Sequence, residues 1–245
     1  MPHLETNGAA LAYRTSGSGP ALLAPECNYS WTPEVEALMA EHFTLVVATP
    51  RDYGASSRPG APYDPRLWAS DMLAVMKHLG HESFAVFGYS FTGAFGPWLA
   101  LELAEQDAVT AVASGGFPLL GDYSITSRDV DKQMTAMQQD KDLWAAAGER
   151  FDLRAGAAFY RQLATFPPDA LVDRSPCPLY CFWGDQDIDA VGMVIPHAEL
   201  ADGLNHRGVA WKQYPGMDHE GLNADLAVAW PDAEKWLLAH STPTQ

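Results

Sequence analysis

One serine stands where a predicted strand passes directly into a predicted helix. Ser90 lies in the segment GYSFTG (88–93), between an apolar strand at 83–87 and a helical pattern at 93–104. A serine on such a sharp turn projects its hydroxyl from the end of the sheet, and small neighbours allow the turn. The same segment is also consistent with an ordinary Gly-Ser turn that caps a helix. Taken alone, it leaves both interpretations open.

An orienting acid and a general base follow later in the chain. Serine is a weak nucleophile until a base accepts its proton and a carboxylate orients that base. Asp187 follows a predicted strand at 178–184, and His219 follows a predicted strand at 209–214. The carboxyl ends of parallel strands share one edge of a sheet, so these loops should converge on Ser90. The order serine, aspartate, histidine therefore indicates nucleophilic catalysis.

The elements that must position these residues alternate between strands and helices. Apolar strands without polar alternation are predicted at 9–15, 21–24, 44–48, 83–87, 108–113, 178–184 and 209–214. Helical patterns are predicted at 33–41, 65–79, 93–104, 194–204 and 226–238. Strands of this kind, separated by helices, are typical of a mostly parallel sheet covered by helices on both faces. The predicted fold class is therefore α/β.

Composition and charge narrow the kinds of partner. The 245 residues include 31 acidic and 15 basic side chains, a formal net charge of −16, and 47% hydrophobic residues. The acidic excess disfavours nucleic acid and polyanionic substrates, and it leaves a small neutral or cationic molecule as the expected partner. No stretch predicts a membrane span or a secretory leader. Three cysteines without metal-site spacing favour a reduced, cytoplasmic protein and argue against a zinc site, and no residue pattern indicates an oligomeric state.

The three motifs resemble those of the α/β-hydrolase fold family. In that family the nucleophile turn reads G-x-S-x-G, an acid follows a late strand in a G-x-x-D pattern, and a histidine follows the last strand. These patterns fall on Ser90, Asp187 and His219. The family's spacing selects Asp187 over the neighbouring Asp185 and Asp189. The resemblance covers nearly the whole chain and implies an α/β-hydrolase fold.

Two positions depart from the family pattern. Thr92 stands where the motif normally ends in glycine, with Gly93 one residue later, so we expect the helix to lie slightly farther from the neighbouring strand. The early turn that normally reads His-Gly-x holds a proline, a glutamate and a cysteine. The resemblance implies that the backbone N–H groups of Phe91 and Cys27 form an oxyanion hole. Glu26 is expected either to face away from it or to bind a cationic or hydroxyl-bearing substrate.

A further family segment, D-x-R-G-x-G-x-S, is matched only in part. Arg51, Gly54 and Ser56 stand in their expected places in the loop after the strand at 44–48. The aspartate position holds Thr49, and one glycine position holds Asp52.

A helical insertion interrupts the alternation of strands and helices. We predict that residues 1–116 and 176–245 form the core domain and that residues 117–175 form a helical cap over Ser90. Aromatic residues and methionines of the cap should pack on the sheet domain or line an apolar pocket. Candidate substrate-binding residues, taken from the cap and from turns near the serine, are Glu26, Tyr29, Trp31, Tyr89, Trp144, Phe159 and Tyr160.

The favoured interpretation is hydrolysis of a small, largely apolar or aromatic carboxylic ester or lactone. Ser90 would attack the carbonyl, His219 would accept the proton and return it to the leaving group, and Asp187 would hold the imidazolium, without a metal or another cofactor. The same fold could instead serve C–C bond hydrolysis, or a cofactor-free oxygenase or lyase reaction with His219 as the base. A non-catalytic, receptor-like binding protein is a third possibility.

Overall fold

The computed structural model describes residues 1–27, 30–150 and 152–241. Within these residues lies an eight-stranded sheet with the strand order β1-β2-β4-β3-β5-β6-β7-β8. The strands are β1 (His3–Thr6), β2 (Ala9–Ser16), β3 (Ala21–Pro25), β4 (Thr44–Ala48), β5 (Phe84–Tyr89), β6 (Val109–Gly115), β7 (Leu179–Gly184) and β8 (Ala210–Tyr214). Strand β2 is antiparallel to β1 and β4, and the other neighbours run parallel. The α/β class predicted from the sequence is confirmed.

Helices connect the strands, and several of them begin at a side-chain cap. They are α1 (Pro33–His42), α2 (Pro65–His78), α3 (Phe91–Glu102), α4 (Ser124–Gln139), α5 (Lys141–Arg150), α6 (Leu153–Leu163), α7 (Ala170–Asp173), α8 (Val191–Val194), α9 (His197–His206), α10 (His219–Ala224) and α11 (Trp230–His240). Thr32 caps α1 and Asp64 caps α2, each followed by a proline that suits the first helical turn. None of the described helices has the length and apolar character that crossing a membrane requires.

Two hydrophobic clusters cover the two faces of the sheet. One contains Trp68 of α2 and Phe95 of α3, and the other contains Met39 of α1 and Leu237 of α11. Because helices cover both faces, the central strands are buried on both sides. This explains why their sequences lack polar alternation.

The described residues between β6 and β7 form helices and no strand. Helix α6 is anchored to the sheet domain by Phe159, whose ring stacks on Trp68 at 6.1 Å and meets Trp98 edge-on at 5.4 Å. Helix α4 packs against α6, and an ion pair of 2.6 Å joins Asp131 to Arg161 across the two helices. Helix α6 therefore links α4 to the core.

Several elements differ from the sequence-based prediction, among them the short edge strand β1, which lies outside the predicted strands. Helix α10 was not predicted, because six residues carry too little periodicity to stand out, although Asp218 caps its first turn. The helix predicted at 226–238 is divided into a 3₁₀ turn at Leu226–Val228 and α11, which begins at Trp230. Pro231 in the first turn of α11 explains the late start, since proline is favoured there.

Candidate active site

Ser90 makes the whole turn between β5 and α3. Strand β5 ends at Tyr89 and α3 begins at Phe91, while Ser90 itself has φ 55° and ψ −117°. Residues other than glycine rarely adopt this backbone region, and such strain concentrates at functional sites. The Ser90 N–H donates a 2.8 Å hydrogen bond to the Gly115 carbonyl on β6. The chain is thus held in a sharp turn with the serine at its tip.

Small residues and one hydroxyl allow this turn. A methyl group at Gly88 would overlap the Thr92 carbonyl, and one at Gly93 would overlap the Gly115 carbonyl oxygen. The close contact between α3 and β6 is therefore made at Gly93, one residue later than in the family motif. Helix and strand remain close together, contrary to the expected wider separation. The Thr92 hydroxyl accepts from the N–H of Tyr89 and donates to its carbonyl, both at 2.9 Å.

The structure brings the predicted acid and base to Ser90. His219 Nε2 lies 2.9 Å from Ser90 Oγ, and His219 Nδ1 lies 2.8 Å from Asp187 Oδ2. The other carboxylate oxygen, Oδ1, accepts from the N–H groups of Ala190 and Val191 at 3.2 and 3.1 Å. The Asp187 side chain is fully buried and that of His219 is 16% exposed. Serine, histidine and aspartate therefore form one continuous hydrogen-bonded chain.

The loops that carry the acid and the base are bonded to each other. Asp185 Oδ1 accepts from the Gly216 N–H at 2.7 Å, and the Gln186 N–H donates to the Met217 carbonyl at 2.9 Å. The Asp185 carboxylate is thereby committed to the backbone. Asp187 is the aspartate that reaches the histidine, in agreement with the family's spacing.

A cavity of about 780 Å³ is lined by Ser90, Phe91 and His219. Helices α4, α5 and α6 form one wall, with the apolar side chains Val130, Met134, Met137, Leu143 and Leu153. Four carboxylates besides Asp187 also line it: Asp129, Asp189, Asp218 and Glu220. Among the described lining residues none is lysine or arginine. The cavity combines an apolar wall with negative charge near the hydrogen-bonded chain.

The cavity wall on α4 was only partly anticipated from the sequence. The sequence predicts Met134 and Met137 as residues of an apolar pocket, whereas Asp129 and Gln133 are additional lining residues. These residues share one face of α4 at helical spacing, which is the signal that could have found them. Polar residues on a largely exposed helix are normally solvated, so that signal was easily overlooked.

The aromatic residues predicted to bind substrate are placed differently from one another. Tyr160 lines the cavity, whereas Phe159 is fully buried against Trp68 and belongs to the hydrophobic core. Trp144 lines a separate depression beside Arg58, because it lies on another face of α5. The predictions for Phe159 and Trp144 are therefore wrong. Tyr29 lies outside the described residues.

Two further predicted contacts lie behind the nucleophile turn. Trp31 packs on Phe87 at 5.5 Å and lines a second, smaller cavity of about 260 Å³. Tyr89 is 3% exposed, and its hydroxyl donates to the His219 carbonyl at 2.8 Å. Neither side chain lines the large cavity, so neither supports the predicted substrate contact there.

The negative charge of Glu26 is balanced by an ion pair within the protein. Its carboxylate lies 2.6 Å from the Arg14 guanidinium, which also binds Glu36. The hydrogen bonds that Arg14 donates to Glu36 and Glu26 raise the pKa of Arg14 above its ordinary value. Glu26 does not line the large cavity, which corrects the prediction that it binds substrate and agrees with the expectation that it faces away. The altered turn thus brings no free carboxylate to the serine.

The backbone around the predicted oxyanion hole is partly committed. The Glu26 N–H donates to the Ala48 carbonyl at 2.9 Å, so the following N–H of Cys27 is the next donor along this turn. Phe91 begins α3, where first-turn N–H groups have no acceptor within the helix.

Burial, reinforced by the neighbouring Glu26 charge, raises the pKa of the Cys27 thiol well above its usual value. The Cys27 side chain is therefore a buried neutral thiol and not a competing nucleophile.

Comparison with known proteins gives matches in sequence and in fold. The chain is 40% identical over 106 residues to a fluoroacetate dehalogenase from Burkholderia sp.. It is 31% identical over 117 residues to 3-oxoadipate enol-lactonase 2 from Acinetobacter baylyi. These matches cover 40% and 45% of the chain but only 34% and 43% of the relatives, so the chain spans less than half of each. The activities named for these relatives are therefore not assigned to this chain on the basis of sequence similarity.

Solved structures match over nearly the whole chain. The enol-lactonase from Burkholderia xenovorans LB400 has a TM-score of 0.69 at 20% identity, covering 97% of this chain and 100% of that one. An epoxide hydrolase from Bacillus megaterium has a TM-score of 0.70 at 16% identity, with coverages of 96% and 99%. The sequence model of the alpha/beta hydrolase fold matches residues 22–187. This chain therefore belongs to the alpha/beta hydrolase fold family.

Proposed function

We propose that the enzyme hydrolyses small, largely apolar or aromatic carboxylic esters or lactones through an acyl-enzyme on Ser90. The observation that carries the proposal is the hydrogen-bonded chain Ser90–His219–Asp187 at the wall of the large cavity. In this arrangement the imidazole can accept the serine proton while the buried carboxylate holds the resulting positive charge.

The reaction proceeds in two halves. Ser90 Oγ bonds to the carbonyl carbon, His219 takes the hydroxyl proton, and the leaving alcohol departs with that proton. Water then adds to the acyl-enzyme in the same way, which releases the acid and restores Ser90. The N–H groups of Phe91 and Cys27 are the proposed donors to the oxyanion, and losing one such donor typically costs about 10²- to 10³-fold in rate.

The chemistry of serine favours carbonyl substrates over halides and epoxides. Related proteins carry the names dehalogenase, epoxide hydrolase and enol-lactonase. A serine that displaced a halide or opened an epoxide would be left as an ether, which offers water no carbonyl to attack. An acyl-serine ester keeps its carbonyl and can be hydrolysed. Ser90 therefore supports the ester or lactone reaction among these activities.

The test combines covalent labelling with rapid kinetics. A fluorophosphonate should add to the peptide that contains Ser90, as seen by mass spectrometry. Mixing with p-nitrophenyl acetate should release a burst of nitrophenol equal to the enzyme concentration. The Ser90→Ala variant should show neither signal. If Ser90→Ala keeps the activity and His219→Ala loses it, a non-covalent reaction with His219 as the base replaces this proposal.

The charge of the cavity predicts discrimination among esters of similar size. The monoanionic p-nitrophenyl hemiglutarate should have a kcat/KM about tenfold below that of neutral p-nitrophenyl pentanoate, because each close like-charge pair costs about 1 kcal/mol even in water. The ratio of the kcat/KM for the neutral ester to that for the anionic ester should fall as ionic strength rises from about 0.01 to 0.5 M, since salt screens exposed charges.

One variant pair locates this effect. Asp189→Asn removes an exposed carboxylate that lines the cavity, and Asp202→Asn removes an exposed carboxylate on α9 that does not. Only the first should narrow the difference between the two esters. Equal kcat/KM values for both esters in the wild type would contradict the prediction.

A further inference from the structure

We propose that Tyr89 is a positioning residue that ties the base His219 to the nucleophile turn, and that Thr92 holds Tyr89 in place. The proposal rests on the function proposed above, because it concerns how Ser90 and His219 stay aligned. It assigns a role to a buried tyrosine that does not line the large cavity.

The base comes from the edge of the sheet and needs support. His219 follows β8, the edge strand, and the loop before it contains the exposed residues Pro215, Gly216 and Asp218. Its imidazole must nevertheless keep two short hydrogen bonds at once, of 2.9 and 2.8 Å. Exposed loops are the part of a fold that moves most easily. A contact with the rigid centre of the sheet would restrict this movement.

Tyr89 provides that contact from the central strand β5. Its hydroxyl donates to the backbone carbonyl of His219 at 2.8 Å. Its ring centroid lies 5.3 Å from that of the imidazole, with the two planes tilted by 37°. Since Tyr89 directly precedes Ser90, one residue contacts the base and is covalently joined to the nucleophile. The distance between nucleophile and base is thereby coupled to the position of a single buried ring.

Two glycines leave the space that the Tyr89 ring occupies. A methyl group at Gly115 would lie 2.7 Å from ring atom Cδ2, and one at Gly116 would lie 2.6 Å from Cζ. Both distances are far below ordinary carbon contacts, so a side chain at either position would displace the ring. Phe182 packs on the ring with centroids 6.0 Å apart. The ring therefore has little freedom to shift.

Thr92 fixes the backbone of the same residue. Its hydroxyl accepts from the Tyr89 N–H and donates to the Tyr89 carbonyl, each at 2.9 Å. Thr92 is 6% exposed, so water competes little for these bonds. A glycine at this position, as in the family motif, has no hydroxyl to offer. Tyr89 is thus held at its backbone by Thr92 and at its side-chain tip by His219.

Four variants test the positioning role of Tyr89. Tyr89→Phe removes the hydroxyl and keeps the ring. We expect kcat for p-nitrophenyl butyrate and the rate of fluorophosphonate labelling to fall about tenfold, with KM changed less than about twofold. Thr92→Val should cause a similar loss, and Thr92→Ser should restore activity because it keeps the hydroxyl. Tyr123→Phe is the control, since this buried tyrosine donates to the Leu119 carbonyl at 2.8 Å outside the site.

A signal that needs no turnover separates this proposal from the proposed function. The low-field proton NMR signal of the imidazole N–H facing Asp187 should weaken or shift in Tyr89→Phe and stay unchanged in Tyr123→Phe. A wild-type protein that hydrolyses no ester would overturn the proposed function, while the NMR signal would still decide the role of Tyr89.

The remaining outcomes decide between positioning and simple stability. Unchanged kcat, labelling and NMR signal in Tyr89→Phe would overturn the tie. A lower Tm with unchanged kcat per folded molecule would also overturn it, because Tyr89 would then act on stability alone. Equal losses in Thr92→Val and Thr92→Ser would overturn the part assigned to Thr92.

Discussion

The Asp187→Asn variant is expected to stay folded and to lose about 10⁴-fold in kcat for ester hydrolysis. In the wild type, Oδ1 accepts from the N–H groups of Ala190 and Val191, and Oδ2 faces His219 Nδ1. An asparagine would keep its oxygen on the two backbone donors and turn its NH₂ group toward the imidazole. Nδ1 would then have to accept, so Nε2 would carry the proton. In that tautomer His219 cannot take the proton of Ser90.

The neighbouring aspartate gives a matched control. Asp185 lies on the same loop and also accepts from backbone N–H, but its carboxylate does not reach His219. Asp185→Asn should change kcat by less than about tenfold, since its neutral side-chain oxygen can still accept the Gly216 N–H. Steady-state kinetics with p-nitrophenyl butyrate, together with circular dichroism, would measure both variants. A loss in Asp187→Asn no larger than that in Asp185→Asn would contradict the assigned role.

The Asp71→Asn variant is expected to lose about 3–5 kcal/mol of unfolding free energy. Asp71 is fully buried and binds the Arg51 guanidinium through both oxygens, at 2.6 and 2.8 Å. The Asp71 carboxylate raises the pKa of Arg51 above its ordinary value, so the arginine stays charged. Removing the carboxylate would leave that buried cation without its hydrogen-bonded counter-charge. For a protein of this size the loss corresponds to a fall in Tm of about 6–20 °C.

An exposed pair of the same composition is the control. Asp131 and Arg161 lie 2.6 Å apart, but their side chains are 40% and 53% exposed. Asp131→Asn should cost no more than about 1 kcal/mol, because water and side-chain entropy offset most of a surface ion pair. Thermal and urea unfolding would compare the two variants. Similar losses at both positions would show that burial does not decide the effect.

The proposed catalytic residues could be found from the sequence because each follows a parallel strand of one sheet. Strand ends are marked by apolar runs and small residues, and all parallel strands point their carboxyl ends to the same edge. Ser90, Asp187 and His219 needed no knowledge of packing beyond that rule. The order of the strands across the sheet was not needed either, because the loops after β5, β7 and β8 reach a common point.

Residues that depend on side-chain direction could not be assigned in this way. Glu26 is paired with Arg14, which lies on another strand, and nothing near Glu26 in the sequence indicates this partner. Phe159 and Trp144 are both aromatic residues on helices, and only packing decides that one enters the core and the other faces a separate depression. Tyr89 points toward His219 because Gly115, the last residue of β6, and the adjacent Gly116 leave space for its ring.

The carboxylates that line the cavity also affect the end of the reaction. In the proposed hydrolysis a neutral ester enters the cavity and a carboxylic acid is formed. This acid is ionised at neutral pH. The product then carries the same sign of charge as Asp129, Asp189, Asp218 and Glu220. Because like charges repel in a partly enclosed cavity, the acid binds more weakly than the ester from which it came. The enzyme would thus resist product inhibition through its wall charges, without a moving part to expel the acid.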